Sequence, residues 1–415
     1  MEKRRVVITG MGVVAPNGIG VENFWDSLVH GRSGIKGITQ FDVSSYPCKI
    51  AGEIEEFDPI NYINPKQARR MDRFSQFGVA CSKMALLDSG INLDQMDPNS
   101  IGVSVGSSVG GLPHAEEQHS IFLEKGLKRV NPLFSTKLFV GSCMNHICIE
   151  LHIRGPCYSI STGCATGADN IGFAFNMIRE RKTDLMLAGA VEAPLSPLSF
   201  GSFCLIGILS TKNDPPHKTP KPFDRYRDGI VLSEGGAVLV LEELHHALDR
   251  GAKIYSEIIG FGTTHDAYHI TQPAPDGEQA EKAIRLALED ANIQPEEIDY
   301  ICAHGSATAI NDKVETMIVK RIFNASIQSI LISSIESMIG HPLGAAGAIK
   351  IAASALAIHN SWVPPTINYE HPDPECDLNY VPNECIKKDL NFVVSNSFSF
   401  GGKNSILILK KNSIK

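Results

Sequence analysis

The chain has 415 residues, 43% of them hydrophobic and 20% charged, and a net charge of −8. This is the composition of a folded globular protein long enough for two or three domains or one large duplicated unit. It gives nucleic-acid binding no global electrostatic support, and no apolar run approaches the roughly 18 residues that a membrane helix needs. Met1-Glu2-Lys3-Arg4-Arg5 leads straight into Val6-Val7-Ile8-Thr9, which reads as a short strand rather than a signal-peptide core. The ten cysteines form no CxxC pairs, so reduced thiols and a cytoplasmic location are expected. Gly10-Met11-Gly12 follows the first strand as in a dinucleotide loop. The third glycine is misplaced and Pro16 interrupts the helix, so no dinucleotide site is expected.

Lys66, Arg69, Arg70 and Arg73 then form a local basic cluster in an acidic chain. Phe74, Phe77, Cys81, Met84 and Leu87 follow at near-helical spacing, which predicts a helix with a basic first turn and a buried stripe. Such a cluster is either a solvated face or a dock for an acidic partner. Gly106-Ser107-Ser108-Val109-Gly110 fits GxSxG, the pattern that would make Ser108 a hydrolase nucleophile. It follows a strand-like run, but Gly111 and Leu112-Pro113 argue against the helix that must come next. His114 and His119 bracket two glutamates, and His265 and His269 are spaced i, i+4. Neither set has a clear third ligand, so no metal site is expected.

Of the ten cysteines, only Cys164 has a nucleophile's setting. It closes the strand-like run Cys157-Tyr158-Ser159-Ile160-Ser161, and residues 165–172 are small residues that predict the tight start of a buried helix. A thiol at a strand-to-helix turn lies near unpaired helix N–H groups, which favour thiolate over thiol and can receive an oxyanion. Strand-like and helical patterns alternate along the whole chain, which predicts an α/β protein. There is also an internal echo: residues 84–91 precede the run 101–106, and residues 286–293 precede 298–305. Both pieces read as helix, cap, short loop, buried strand and glycine. The run before Cys164 has its counterpart in residues 330–334, which lead to Gly340-His341. Two related halves are expected, residues 1–255 carrying the nucleophile and residues 256–415 carrying His304 and His341. Packed together, equivalent strand ends would gather these three residues.

Four ordered segments carry a family resemblance: Ser161-Thr162-Gly163-Cys164-Ala165-Thr166-Gly167, Ala303-His304-Gly305-Ser306-Ala307-Thr308, Gly340-His341-Pro342-Leu343-Gly344-Ala345-Ala346-Gly347 and Asn396-Ser397-Phe398-Ser399-Phe400-Gly401-Gly402. Over nearly its whole length the chain resembles the elongating type II β-ketoacyl-acyl-carrier-protein synthases. The resemblance implies a thiolase-like α/β fold, with duplicated halves in five layers α-β-α-β-α, usually dimeric. It implies an acyltransferase that loads an acyl group on Cys164 and condenses it with malonyl-carrier protein in a decarboxylative Claisen reaction. A thiolate suits this role as both nucleophile and leaving group. Decarboxylation puts charge on a thioester oxygen, which two imidazole N–H donors can stabilise. By resemblance these are His304 and His341, and the backbone N–H groups of Cys164 and Phe400 form an oxyanion hole. Phe400 would gate the acyl pocket, Ser306 and Thr308 would hold the phosphopantetheine arm, and Lys66, Arg69 and Arg70 would dock the acidic acyl carrier protein. No metal or organic cofactor is implied, since the phosphopantetheine belongs to the carrier. The second subunit is either an identical copy or a ketosynthase-like partner, with no nucleic acid or membrane involved.

The chain departs from the family pattern at a pair of charges. Glu336 stands where the family has a lysine, five residues before the second histidine, and Lys350 stands where the family has that lysine's glutamate partner. A buried ion pair survives inversion, because its attraction does not depend on which partner carries which sign. The field at the thiol does depend on it, an anion disfavouring thiolate and a cation favouring it. The expectation is a pair kept for structure while the electrostatics around the histidines change. Ser399 replaces a glycine in the gating loop, which restricts its backbone. Lys403 replaces a threonine, Val109 stands where isoleucine often ends the acyl pocket, and Leu205-Ile206-Gly207 lacks an arginine found in some relatives. These changes suggest a polyketide, polyene or unusual acyl chain rather than housekeeping fatty-acid elongation. Two rival readings are a chain-length-factor-like partner subunit, which typically lacks the nucleophile this chain keeps, and a serine hydrolase using Ser108.

Overall fold

The computed structural model describes residues 3–413. Its strands are β1 (Val6–Ala15), β2 (Ile101–Gly106), β3 (Cys157–Tyr158), β4 (Leu185–Glu192), β5 (Gly235–Glu243), β6 (Ser256–His265), β7 (Tyr300–Cys302), β8 (Leu331–Ser333), β9 (Phe392–Phe398) and β10 (Lys403–Lys410). They follow one path in the order β8-β7-β9-β10-β6-β1-β5-β4-β2-β3, with the short strand Gly18–Ile19 beside β1. Read outward from the centre, the first set runs 1-5-4-2-3 and the second 6-10-9-7-8. Each strand of the first set therefore has a counterpart in the second.

Strand sense repeats as well. β1–β5 and β5–β4 are antiparallel while β4–β2 and β2–β3 are parallel. β6–β10 and β10–β9 are antiparallel while β9–β7 and β7–β8 are parallel. The sets join where β1 meets β6 antiparallel, with Val6 opposite Ile258 and Ile8 opposite Ser256. β1, β4 and β5 are buried along their whole length, as their continuous apolar runs require of strands covered on both faces.

The helices that cover the strands are α1 (Arg73–Ser89), α2 (Ser142–Leu151), α3 (Thr166–Arg179), α4 (Pro197–Ile206), α5 (Glu278–Ala291), α6 (Ala309–Phe323) and α7 (Ala346–Asn360). α1 and α2 pack together over the first set, and α5 and α6 cover the second. α3 and α7 lie against each other and touch strands of both sets. The result is the expected five-layer α-β-α-β-α arrangement. α7 is buried from Ala346 to Ile358, so its Ala- and Ile-rich sequence is that of a helix with no solvent face. The central helices approach to backbone contact. A Cβ on Gly167 would lie 2.4 Å from Ala348 N, and one on Gly347 2.7 Å from Ala168 N. This close crossing sets the start of α3, just after Cys164, beside the start of α7, just after His341.

Several sequence expectations change here. Gly10 and Gly12 lie inside β1, where a Cβ would come within 2.3 Å of Ala85 O and 2.0 Å of Cys81 O. They are glycines because α1 rests on the strand. α1 buries Phe74, Phe77 and Cys81, but Leu87 is 83% exposed. Two successive steps of three residues turn Leu87 by about 120° from the face of Cys81. Of the four basic residues only Arg73 lies in the first turn of α1. Lys66 sits in a separate one-turn helix, Pro65–Ala68, and Asp72 caps α1 by accepting from Phe74 N–H at 3.3 Å. Among the described residues no helix is long and apolar enough to cross a membrane.

Candidate active site

Cys164 is half-buried in the turn between β3 and α3. The strand before it is shorter than its sequence predicts, covering only Cys157–Tyr158, because residues beyond it are held by side chains instead of a ladder. The Asn170 amide clamps Ile160 from both sides, donating to its carbonyl at 2.9 Å and accepting from its N–H at 3.2 Å. The Thr166 hydroxyl donates to Gly163 O at 2.7 Å and accepts from Thr162 N–H at 2.9 Å. Gly163, at φ +60°, makes the sharp turn that presents the thiol.

The two histidines arrive from the second strand set. His304 follows β7, and its N–H and that of Gly305 donate to the Glu315 carboxylate on α6, each at 2.8 Å. Asn396 on β9 donates to the same carboxylate at 3.0 Å. His341 follows β8 and the left-handed turn at Gly340, φ +72°. Its backbone is pinned to the first half, its N–H donating to Val231 O at 2.7 Å and its carbonyl accepting from Ser233 N–H at 3.2 Å. The imidazole rings lie edge to face, 5.5 Å apart. His341 Nε2 is 3.1 Å from Cys164 Sγ.

Glu336 and Lys350 stand behind these rings, both buried. They are 3.9 Å apart at Glu336 Oε1 and Lys350 Nζ, within pairing range. Each has a shorter contact to a histidine. Glu336 Oε2 is 2.8 Å from His341 Nδ1, and Lys350 Nζ is 3.2 Å from His304 Nδ1. Lys350 also donates to Asn396 O at 2.6 Å. Burial opposes charge on His341, but the Glu336 carboxylate and the Cys164 sulfur outweigh it and lift the imidazole to about 10. Burial, the Lys350 ammonium and His341 together push His304 well below the ordinary histidine value.

Cys164, His304, His341 and Phe400 line one cavity of about 320 Å³, together with Ser306 and Thr308. The Ser306 and Thr308 hydroxyls are 3.1 Å apart, and Thr308 also caps α6, accepting from Asn311 N–H at 3.3 Å. Phe203 and Ile206 from α4 line the cavity too, beside the fully exposed side of Leu205. Val109 packs with Phe203 and Leu343 in the apolar cluster that adjoins it. The Cys164 N–H is not free: it donates to the Ser399 hydroxyl at 2.9 Å. Ser399 reaches this donor because Gly163 has no Cβ, which would come within 2.3 Å of that oxygen. Lys403 lies 3.6 Å from Asp169 in the first turn of α3, tying the β9–β10 loop to the nucleophile's helix.

Outside the cavity, Lys66, Arg69 and Arg70 are exposed, and among the described residues none of them has an ion-pair partner. Arg73 leaves the cluster, pairing with buried Glu234 at 2.7 Å and lying over the Phe77 ring. Ser108 has a carboxylate beside it, and among the described residues no histidine bonds to it: its hydroxyl donates to Glu192, and its N–H does so at 2.8 Å. A helix does follow the GxSxG run, from Leu112 to Lys125, because proline is tolerated in a first helical turn. The serine-hydrolase reading falls on the missing base rather than on the missing helix. All ten cysteines are free thiols. Among the described residues no group of three His, Cys, Asp or Glu is disposed to hold a metal ion. Glu315 and Asn396 do positioning work that their sequence positions alone do not reveal. An acidic residue on the buried face of α6 is the one available signal.

The chain matches the family description "Beta-ketoacyl synthase, N-terminal domain" over residues 3–247 and "Beta-ketoacyl synthase, C-terminal domain" over residues 255–370. It is 44% identical over 411 residues to the "3-oxoacyl-[acyl-carrier-protein] synthase 2" of Coxiella burnetii (strain RSA 493 / Nine Mile phase I), covering 99% of both chains. Among solved structures it is similar to the ishigamide ketosynthase/chain length factor, with a TM-score of 0.93 at 35% identity, covering 99% of this chain and 100% of that one. It is similar also to a chain of a type II polyketide-synthase acyl-carrier protein complex with its ketosynthase bound to the hexaketide, with a TM-score of 0.91 at 34% identity and the same coverage.

Proposed function

The chain belongs to the β-ketoacyl synthase family, and we propose that Cys164, His304 and His341 carry its condensation. It is a condensing acyltransferase that joins a thiol-bound acyl group to a malonyl thioester on acyl carrier protein. The observation that carries the residue assignment is the 3.1 Å contact between Cys164 Sγ and His341 Nε2, with His304 lining the same cavity. The Cys164 thiolate attacks an acyl-carrier thioester, and the carrier thiol leaves with a proton. Malonyl-carrier protein then loses CO2, and its thioester oxygen takes up the charge against His304 and His341. The carbanion attacks the acyl group on Cys164, the oxyanion is held by backbone N–H groups of Cys164 and Phe400, and the thiolate is expelled.

No group beyond these is required, because the phosphopantetheine arm arrives on the carrier, past Ser306 and Thr308. The carrier docks on Lys66, Arg69 and Arg70, an exposed basic cluster in an acidic chain. The second subunit pairs along the open edge of β3, where Tyr158 is exposed. It is either an identical chain or a ketosynthase-like one, in the cytoplasm. The inverted charge pair and Ser399 favour a specialised polyketide or polyene chain over housekeeping elongation.

Intact-protein mass spectrometry tests this reading. The purified chain is incubated with a panel of acyl carriers and then with malonyl carrier. The expected result is an acyl mass on Cys164 that malonyl carrier discharges as a β-ketoacyl product. A Cys164→Ser chain that still acquires the acyl mass by thioester exchange would overturn it.

A further inference from the structure

Glu336 and Lys350 are each aimed at a different histidine, and the two charges make opposite demands on the rings they touch. An ionised carboxylate can only accept hydrogen bonds, so the 2.8 Å contact from Glu336 Oε2 requires the proton of His341 to sit on Nδ1. Its Nε2, 3.1 Å from Cys164 Sγ, is then left to take the thiol proton. An ammonium can only donate, so the 3.2 Å contact from Lys350 requires a lone pair on His304 Nδ1. The single proton of His304 then sits on Nε2.

Resting on the condensing role proposed above, we propose that Glu336 and Lys350 are positioning residues that give the two histidines different tasks. Glu336 makes His341 the proton carrier for Cys164, and Lys350 holds His304 as a fixed neutral Nε2–H donor. The groups facing His341 are Glu336 in the one-turn helix Glu336–Ile339 just before it, Cys164 before α3, and His304 with Lys350 behind it. The carboxylate and the sulfur favour the imidazolium, and its value of about 10 keeps that form across neutral pH. An imidazolium at this distance is the counter-ion of a thiolate.

The proton balance follows. In loading, the Cys164–acyl C–S bond forms, the carrier C–S bond breaks, and the proton on His341 Nε2 passes to the departing carrier thiolate. His341 is then neutral and regains a proton from water, the one proton the overall reaction consumes. In condensation CO2 leaves, the new C–C bond forms, and the Cys164 thiolate is expelled beside the imidazolium, restoring the starting state. His304 keeps its proton throughout and serves, beside the reprotonated His341, as a fixed donor to the enolate oxygen.

A readout without any carrier separates this inference from the condensing role. Alkylation of Cys164 by iodoacetamide, followed by intact mass, reports thiolate. At pH 6 the Glu336→Gln chain is expected to react at least about tenfold more slowly than the native chain, and the difference is expected to close near pH 9. The double exchange Glu336→Lys with Lys350→Glu keeps both buried charges paired. It is expected to fold and to lose the acid-side reactivity as well. A folded variant of either kind with the native profile overturns the inference. On the native chain itself, nitrogen NMR of labelled histidine reads both rings directly, with His341→Ala and His304→Ala giving the assignments. At about pH 8 His341 is expected to carry protons on both nitrogens and His304 on Nε2 alone, and a neutral His341 overturns the inference whatever the variants do. If these profiles appear but no carrier ever acylates the chain, the condensing role fails and the division of the histidines stands.

Discussion

The Cys164 N–H, proposed as a donor to the thioester oxygen, is already in use. It is bonded to the Ser399 hydroxyl, so the oxygen must displace that hydroxyl before an oxyanion hole exists. A neutral hydrogen bond of this kind is worth about 1 kcal/mol. Ser399→Gly is therefore expected to raise the single-turnover loading rate by up to roughly tenfold, read by intact mass. An unchanged or slower rate would show that the hydroxyl helps rather than blocks. Glu315 works from the other side, fixing the backbone of His304 and Gly305 and the Asn396 amide. Glu315→Gln keeps one acceptor oxygen and turns its NH2 group toward the other backbone N–H, since His304 N–H and Gly305 N–H donate to different carboxylate oxygens. It should cost about 2 kcal/mol in chemical denaturation and slow malonyl decarboxylation more than loading. Equal losses in both half-reactions would assign Glu315 to general stability. That Cys164, His304 and His341 come together in one cavity was legible because each is marked by a glycine neighbour and a preceding strand-like run. Ser399 and Glu315 were not, since their roles depend on partners 235 and 11 residues away that only the packed chain brings near.

The elements that assemble the site are α3 and α7, and their crossing depends on two glycines. A methyl group at Gly167 would meet the backbone nitrogen of Ala348 at 2.4 Å, so the helices rather than a flexible side chain must move. Gly167→Ala is expected to cost about 2–3 kcal/mol and to lower loading sharply by separating Cys164 from His341. Thermal unfolding and loading measured on one preparation check this, and full loading in a destabilised variant would break the link between crossing and site. The repeated pattern of helix, cap and strand was readable in sequence because both copies keep their caps and buried runs. α1 before β2 and α5 before β7 match it. Boundaries set by tertiary contacts were not readable. Arg73 follows the exposed basic residues in sequence, yet turns inward to Glu234, and Leu87 keeps an apolar identity on a solvent face. The helix after Gly111 was missed because proline, a breaker within a helix, is neutral in its first turn.

For the molecule as a whole, charge decides both stability and encounter. His341 is raised from 6.5 to about 10 by the folded environment. A group raised in this way contributes stability that is fully present below its ordinary value and is lost as pH climbs through the folded value. The urea midpoint of the native chain should fall between about pH 6.5 and 10 more steeply than that of Glu336→Gln, whose imidazole lacks the carboxylate. Parallel slopes would show that Glu336 does not hold the proton. Encounter with a carrier works against a net charge of −8, because an acidic partner is repelled by the average field. Lys66, Arg69 and Arg70 present exposed positive charge without ion-pair partners among the described residues, whereas Arg73 has spent its charge on Glu234. Steering by three cations acts over about one Debye length, roughly 10 Å at moderate salt, and weakens as salt is raised. Reversing all three to glutamate should raise the KM for acyl carrier protein by about tenfold or more while lowering kcat much less. High salt should bring the native and reversed chains together by weakening the native one. A KM that is the same in both chains at low salt would move the dock elsewhere, and the exposed apolar end of α4, with Leu205 at 91% exposure beside the cavity-lining Ile206, is where it would then be sought.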